Sequence, residues 1–564
     1  MAEYSGRLEL TWTNKHLRLL AHEDGSYEWV PPSDYRVAEV RLLNDAGTTG
    51  KVNKDATRVK DNLLIRGDAL SALTSLIKIP EFRDEYVGKV KLVYIDPPFN
   101  TQQAFEHYDD ALEHSVWLTM MRDRLLQLKR LLAKDGSVWV HCDDSEQHRL
   151  RCVLDEVFGF ANFKATIVWQ KLYARKSNTD FSSSHDYLLV YAKDVSAFAR
   201  HLQPPSPKQL KRYKNPDNDP RGRWQSVSFH VRTDNPEKRG EYRYKITLPS
   251  GRIVGPPPGR HWNGKIARYE RLLAEKMLWF GADGDSLPRH KDFLKPDEVG
   301  LVPTTWWPRD EVGDNDESKG EIQALFPHIG DPFQTPKPER LMERVIHIAT
   351  NPGDIVLDCF AGSGTTAAVA HKMGRRWVTV EWSRETVETY AAPRLAKVVA
   401  GDDPGGVTDL VGWQGGGGFR VLDVALSMFE NDEGHIVFAD WATNGALAEA
   451  TAAQLGFAYD PELLPFSGHK GRTRLAVVDG LVNEEVARLL VEQLPENEML
   501  VLCATMIDPA AQEVVSAARK GSRLRKIPDS ILADYRRGQL WWESRMAELY
   551  ASEPETSASA AVGV

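Results

Sequence analysis

Short, mostly apolar runs alternate with stretches of helical periodicity between Asn62 and Tyr191, and after a long break the alternation resumes at Leu341. A run that is apolar at nearly every position is what a strand covered on both faces carries, and such strands separated by helices build a parallel sheet. Leu63-Leu64-Ile65, Val90 to Ile95, Val138-Trp139-Val140, Thr166 to Trp169 and Tyr187 to Tyr191 read as strands, with Ala69 to Ile77 and Gln147 to Phe158 as helices. Trp117, Met120, Met121, Leu125, Leu128, Leu131 and Leu132 recur at helical spacing and mark one more core face, ending at Lys134-Asp135-Gly136. Downstream, Leu341 to Ala349 reads as a helix, Asp354 to Asp358 as a strand, Ala367 to Met373 as a helix and Trp377 to Glu381 as a strand. The expected fold class is α/β, a doubly wound and mostly parallel sheet.

The break divides the chain. Residues 1–60 form an N-terminal accessory segment, 61–194 the first part of the α/β domain, 195–325 an irregular insertion and 326–414 the second part. The insertion is rich in Pro, Gly and aromatics, as in Pro256-Pro257-Pro258-Gly259 and Thr305-Trp306-Trp307-Pro308, and is expected to leave the sheet at its carboxyl end. Trp306-Trp307 could stack on a base or fill the insertion's own small core, the core reading being favoured for a residue so often buried. Gly415 to Gly418 reads as a flexible joint to a small α/β domain at 419–552, and 553–564 as a disordered tail.

Net charge is -9, yet the charge is segregated: residues 161–290 hold 24 Lys and Arg against 12 Asp and Glu. Aromatics interleave with the cations there, as in Lys211-Arg212-Tyr213-Lys214 and Tyr242-Arg243-Tyr244-Lys245, a pattern suited to a phosphate backbone and exposed bases, or to a solvated surface. Lys171, Arg175 and Lys176 could likewise meet phosphates or simply face water. No apolar run approaches the ~20 residues of a membrane span, and the first twenty residues lack a secretion-signal layout. Four cysteines, Cys142, Cys152, Cys359 and Cys503, form no CxxC pair, so a reducing, cytoplasmic setting is expected. His141, Cys142, Asp143, Asp144 and His148 lack the spacing of a zinc or iron site, and no metal is expected. No GxxxxGK[ST] occurs, which argues against ATP hydrolysis by a P-loop.

Two segments carry chemistry. Ile355-Val356-Leu357 leads into Asp358-Cys359-Phe360-Ala361-Gly362-Ser363-Gly364-Thr365-Thr366 and then Ala367 to Ala370, which reads as strand, glycine turn and helix start. Glu381 ends the next strand 23 positions after Asp358, near the separation at which an acid grips the ribose hydroxyls of an adenosine cofactor. Nicotinamide and S-adenosylmethionine both fit that pattern. The other segment, Asp96-Pro97-Pro98-Phe99-Asn100, follows a buried strand. Its prolines donate no hydrogen bond, so the Asp96 carboxylate and the Pro97 carbonyl stand as acceptors for the two hydrogens of a planar amine. Phe99 offers a face for a base, and the alternative is a plain proline turn.

Together the segments resemble the amino-methyltransferases of DNA, whose clamp reads Asp/Asn/Ser-Pro-Pro-Tyr/Phe and whose cofactor motif reads Phe-x-Gly-x-Gly. Clamp first, recognition region next and cofactor motif last is the order of their β class. The resemblance covers roughly residues 60 to 400 and implies a Rossmann-like fold, S-adenosyl-L-methionine as cofactor and double-stranded DNA as substrate, with the target base flipped. It implies catalytic roles for Asp96, Pro97, Pro98 and Phe99. It implies cofactor contacts for Asp358, Phe360, Ala361, Gly362, Ser363, Gly364, Thr365 and Glu381, for Lys337 in Thr335-Pro336-Lys337-Pro338-Glu339 beside the methionine end, and for Asp68 of Gly67-Asp68 beside the adenine. Asp at the head of the clamp points to adenine N6, with cytosine N4 as the alternative. Length, the DPPFNT form, His141-Cys142-Asp143-Asp144 and Ser184-His185-Asp186-Tyr187 look most like the modification subunit of type III restriction-modification systems. Such subunits dimerise and work with a separate helicase-nuclease subunit. Two other readings stand beside this one: a catalytically silent DNA-recognition subunit, and a glutamine or protein methyltransferase, which places its cofactor motif first.

Overall fold

The computed structural model describes residues 10–21, 26–54, 56–100, 104–105, 108–109, 113–173, 180–205, 210–232, 240–294, 300–330 and 333–538. Arg175, Lys176, the end of the C-terminal domain at 539–552 and the 553–564 tail lie outside the described residues. Ten strands make the main sheet. In chain order they are β1 (Leu43–Gly50), β2 (Asn62–Arg66), β3 (Val90–Ile95), β4 (Leu132–Cys142) and β5 (Phe163–Gln170). Then come β6 (His185–Ala192), β7 (Trp306–Trp307), β8 (Ile355–Asp358), β9 (Arg376–Glu381) and β10 (Gly418–Val424). They lie in the order β7-β5-β6-β4-β3-β8-β9-β2-β10-β1. Six of the nine pairings are parallel and three antiparallel.

β3 lies inside the sheet because both of its faces are apolar. Val90, Val93 and Ile95 join one core cluster, and Leu92 and Tyr94 the other. On the first face lie α1 (Ala69–Lys78), α2 (His114–Leu131) and α3 (Gln147–Phe158); on the second, α4 (Glu339–Ala349) and α5 (Thr365–Lys372). Each fully buried Leu, Val or Phe contributes ~1.5–3 kcal/mol, so helices that cover both faces hold the sheet together. The chain leaves β3 toward β4 on one side and leaves β8 toward β9 on the other. Such a reversal opens a crevice at the carboxyl ends of the two middle strands.

The chain divides into two compact units, residues 1–200 with 304–564, and His201–Pro303. The second unit has its own core, built by Phe229, Ile246, Leu248, Trp262, Tyr269, Leu272, Leu278 and Phe280. It carries a three-stranded antiparallel sheet, two hairpin-like pairs and the helix Ile266–Ala274. Its sequence holds 20 Lys and Arg against 12 Asp and Glu.

Four expectations need adjustment. The compact insertion begins and ends inside the expected 195–325 span, because Trp306–Trp307 is an edge strand of the main sheet. Trp307 is fully buried against Trp139, with ring centroids 6.2 Å apart, in the main unit's second core, while Trp306 is 54% exposed. The N-terminal segment supplies β1, which pairs antiparallel with β10. Gly415 to Gly418 is no loose joint: Gly418 pairs with Gly50, and a Cβ on Gly418 would stand 2.5 Å from the Thr49 carbonyl oxygen. The C-terminal fold therefore starts beyond Val424, with a five-stranded sheet whose inner strands are Gly468–Lys470, Thr473–Val482 and Met499–Ile507. Among the described residues no helix is long and apolar enough to cross a membrane.

Candidate active site

β3 and β8 are neighbours, so Asp96 and Asp358 leave the sheet side by side although 262 positions separate them. A cavity of about 950 Å³ opens there. Asp96, Pro97, Pro98, Phe99, Asp68, Lys337, Asp358, Phe360, Ala361, Gly362, Ser363, Thr365 and Glu381 all line it. Gly364 does not; it caps α5 with φ +78 and lies against Ala391.

The glycine turn is held by two acids. Asp358 accepts the Phe360 amide hydrogen at 2.9 Å and the Thr366 hydroxyl at 2.6 Å. Burial raises its carboxyl to about 8, with the Asp96 and Glu381 charges adding in the same direction against those two hydrogen bonds. Glu381 accepts the Gly362 amide at 2.8 Å and the Ser383 amide at 3.0 Å, and burial raises its pKa too. Each Glu381 oxygen keeps a further lone pair. Gly362 has φ +49, and a Cβ there would stand 3.1 Å from the Phe333 ring, so both backbone and space call for glycine.

The clamp segment is braced from beneath. The Trp117 indole N–H donates to the Pro98 carbonyl at 2.6 Å, and Asn100, at φ +60, donates to the fully buried Glu146 at 2.7 Å. Phe99 stacks on His141, ring centroids 5.5 Å apart at 21°. That imidazole is fixed at both nitrogens, Nδ1 by the Tyr94 hydroxyl at 2.9 Å and Nε2 by Asp186 at 3.3 Å. Lys171 donates to Asp186 at 2.6 Å. Burial would raise the Asp186 carboxyl, but the His141 hydrogen bond and the charges of His141, Lys171 and Lys337 hold it below the usual range.

Three of the expected cofactor residues also have partners within the protein. Lys337 Nζ is 2.5 Å from Asp96 Oδ2 and 5.3 Å from the Phe99 centroid, so it engages the clamp. Asp68 caps α1 through the Ser71 amide at 2.9 Å and takes Arg124 at 2.8 Å. Thr365 Oγ1 accepts from Arg394 at 2.8 Å. The start of α4, next to Lys337, is anchored by buried Glu339, which takes Lys372 and Arg394 at 2.8 Å each and the Val407 amide at 3.0 Å.

Sequence reasoning missed Trp382, Arg124 and the N-terminal residues Leu19, Tyr27 and Arg36, which also line the cavity. Trp382 follows Glu381 directly and was the one readable signal. Arg124 and the N-terminal residues arrive by tertiary packing, as where Arg122 donates to the Leu17 carbonyl at 2.8 Å. Among the described residues no three His, Cys, Asp or Glu side chains gather to hold a metal.

A mostly parallel sheet with an acid-braced glycine turn beside an Asp-Pro-Pro-Phe segment is the arrangement of a Rossmann-like methyltransferase. Residues 90–392, more than half of the chain, match the model of the DNA methylase family, and the chain belongs to that family. It is 33% identical over 338 residues to the type III restriction-modification enzyme StyLTI Mod subunit of Salmonella typhimurium, covering 54% of this chain and 49% of that one. It is 30% identical over 427 residues to the probable HindVI Mod subunit of Haemophilus influenzae, covering 65% and 54%. It is 29% identical over 309 residues to the type II methyltransferase M.EcaI of Enterobacter cloacae, covering 53% and 64%. The chain thus spans about half the length of the Mod subunits it matches.

Proposed function

We propose that the protein methylates adenine N6 in double-stranded DNA at specific sites, as the modification component of a restriction-modification or related phage-defence system. One observation carries this reading: Phe99 of the clamp and Gly362 of the glycine turn line a single cavity. The residues present fit S-adenosyl-L-methionine, since the Gly362 turn lines the cavity and Glu381, which lines it too, offers spare lone pairs for the ribose hydroxyls. Bound there, S-adenosylmethionine supplies an electrophilic methyl on sulfur.

The protein's own residues do the rest. Asp96 Oδ1 is buried and has no hydrogen-bond partner among the described residues, so it is an acceptor waiting for a donor. With the Pro97 carbonyl it takes both hydrogens of the target amine and fixes the nitrogen lone pair toward the methyl. Acceptors placed where positive charge develops typically account for a few kcal/mol of barrier lowering. Phe99, held flat on His141, stacks the flipped base, which helps offset the few kcal/mol that unstacking costs. The basic His201–Pro303 unit binds the duplex and reads bases from a groove. Likeness to Mod subunits supports work alongside another subunit; in this reading the chain is a homodimer in the cytoplasm and that other subunit is a helicase-nuclease.

Sequencing modified positions in DNA from cells expressing the chain, with and without Asp96→Ala, tests the activity and maps the site together. Nucleoside mass spectrometry of the same DNA separates N6-methyladenine from N4-methylcytosine. Absence of both marks refutes the reading and favours a silent recognition subunit.

A further inference from the structure

Inside the cavity the clamp already holds a nitrogen. Lys337 Nζ lies 2.5 Å from Asp96 Oδ2, with side chains only 10% and 19% exposed. The same ammonium stands 5.3 Å over the Phe99 ring, while the stacked His141 imidazole takes one face of that ring. A nitrogen with hydrogens to donate, bonded to Asp96 Oδ2, makes one of the two contacts that the exocyclic amine of a flipped base would make, and it stands over the ring on which that base would stack.

We propose that the Lys337 ammonium is an internal stand-in for the target amine, and that its competition for Asp96 selects against bases with no amine to put in its place. The inference rests on the clamp reading of Asp96 and Phe99 given above and names a specificity residue for it.

Asp96 Oδ1 is open to a donor, but a base stacked on Phe99 displaces the ammonium from over the ring and so draws it away from Asp96 Oδ2. Leaving a buried carboxylate without its cation is costly. A base that donates an amine to Asp96 offsets that loss with new hydrogen bonds. One with a hydrogen there offers nothing, and one with a carbonyl sets acceptor against acceptor. Selection then comes from a competitor built into the site as well as from attraction to the right base. The displaced ammonium has somewhere to go: the Asp186 carboxylate lines the same cavity, and the charge of Lys337 already acts on it. The Glu339 anchor holds the end of the segment in place, so the movement is confined to the Lys337 side chain.

The test uses duplexes carrying the mapped site with either adenine or 2-aminopurine at the target position, 2-aminopurine having hydrogen where adenine has its amine. Binding of each is measured with the full-length protein and the unreactive cofactor analogue sinefungin. Wild-type protein should bind the adenine duplex more tightly, and Lys337→Met and Lys337→Gln should each shrink that preference about ten-fold, a difference of ~1.4 kcal/mol. Lys337→Arg, which keeps the charge, should retain most of it. A preference unchanged in both neutral variants overturns the proposal, as does one lost equally in Lys337→Arg. A wild-type far-ultraviolet circular dichroism spectrum and a cooperative thermal transition certify that each variant is folded. Failure of the functional reading is distinguishable, because the wild-type protein would then leave no methyl mark at any site.

Discussion

Glu381 ends β9 and Gly362 lies in the turn that follows β8, and the Glu381 carboxylate accepts the Gly362 amide hydrogen at 2.8 Å. One acid thus shapes the glycine turn and faces the cavity at once. Glu381→Gln keeps the size of the side chain but removes the charge and half of its accepting capacity. Affinity for S-adenosylmethionine, read by equilibrium binding of the labelled compound, should fall about ten-fold or more, the usual range for a hydrogen bond to a charged group. Unchanged affinity would remove Glu381 from the cofactor site.

Gly362→Ala puts a methyl 3.1 Å from the Phe333 ring at a backbone φ of +49. The left-handed conformation alone costs an L-residue about 1–2 kcal/mol. Both the thermal midpoint and cofactor affinity should drop, whereas Gly353→Ala, where φ is +85 but no atom lies within 4 Å, should lower the midpoint alone.

Asp96→Ala should lower methyl incorporation into DNA by about 10²–10³-fold, the scale of losing one preorganised electrostatic contact. Labelled S-adenosylmethionine should still bind, because the acids that brace the glycine turn, Asp358 and Glu381, keep their hydrogen bonds. Methylation at the wild-type rate would rule out the clamp.

Asp358 gives a pH signature. Its carboxyl is raised from 3.8 to about 8 in the folded protein, chiefly by burial. The folded state therefore holds a proton that the unfolded chain has released, and the stability this lends is full below the unfolded value and lost as pH climbs through the folded one. Asp358→Asn keeps a carbonyl for the Phe360 amide and an amide for Thr366 but does not titrate. Thermal melts of both proteins between about pH 5 and about pH 8 should show the variant gaining on the wild type as pH rises. A gap that stays constant would place Asp358 in its charged form throughout.

The sheet's interior and the two chemical segments were legible because each is local. β3 is apolar at nearly every position, and Asp96 to Phe99 and Phe360 to Gly362 are contiguous stretches whose neighbours set their conformation. Edge elements were not. β7 is two residues long, β1 is largely exposed, and β10 reads like the start of the next fold, since a strand's pattern does not say which sheet it will join. The ion pair of Lys337 with Asp96 was not legible, because the contact spans 241 positions and depends on how α4 seats against β3. Asn100 and Glu146 illustrate the same limit over a shorter distance.

The pairing of β3 with β8 also governs how the molecule is made. When a ribosome has released the first 200 residues, β3 has its partner β4 on one side and a bare row of amides and carbonyls on the other. That edge stays open while the whole His201–Pro303 unit is synthesised, until β8 emerges to close it. The nascent first half therefore carries an exposed strand edge that the finished protein does not have at that place.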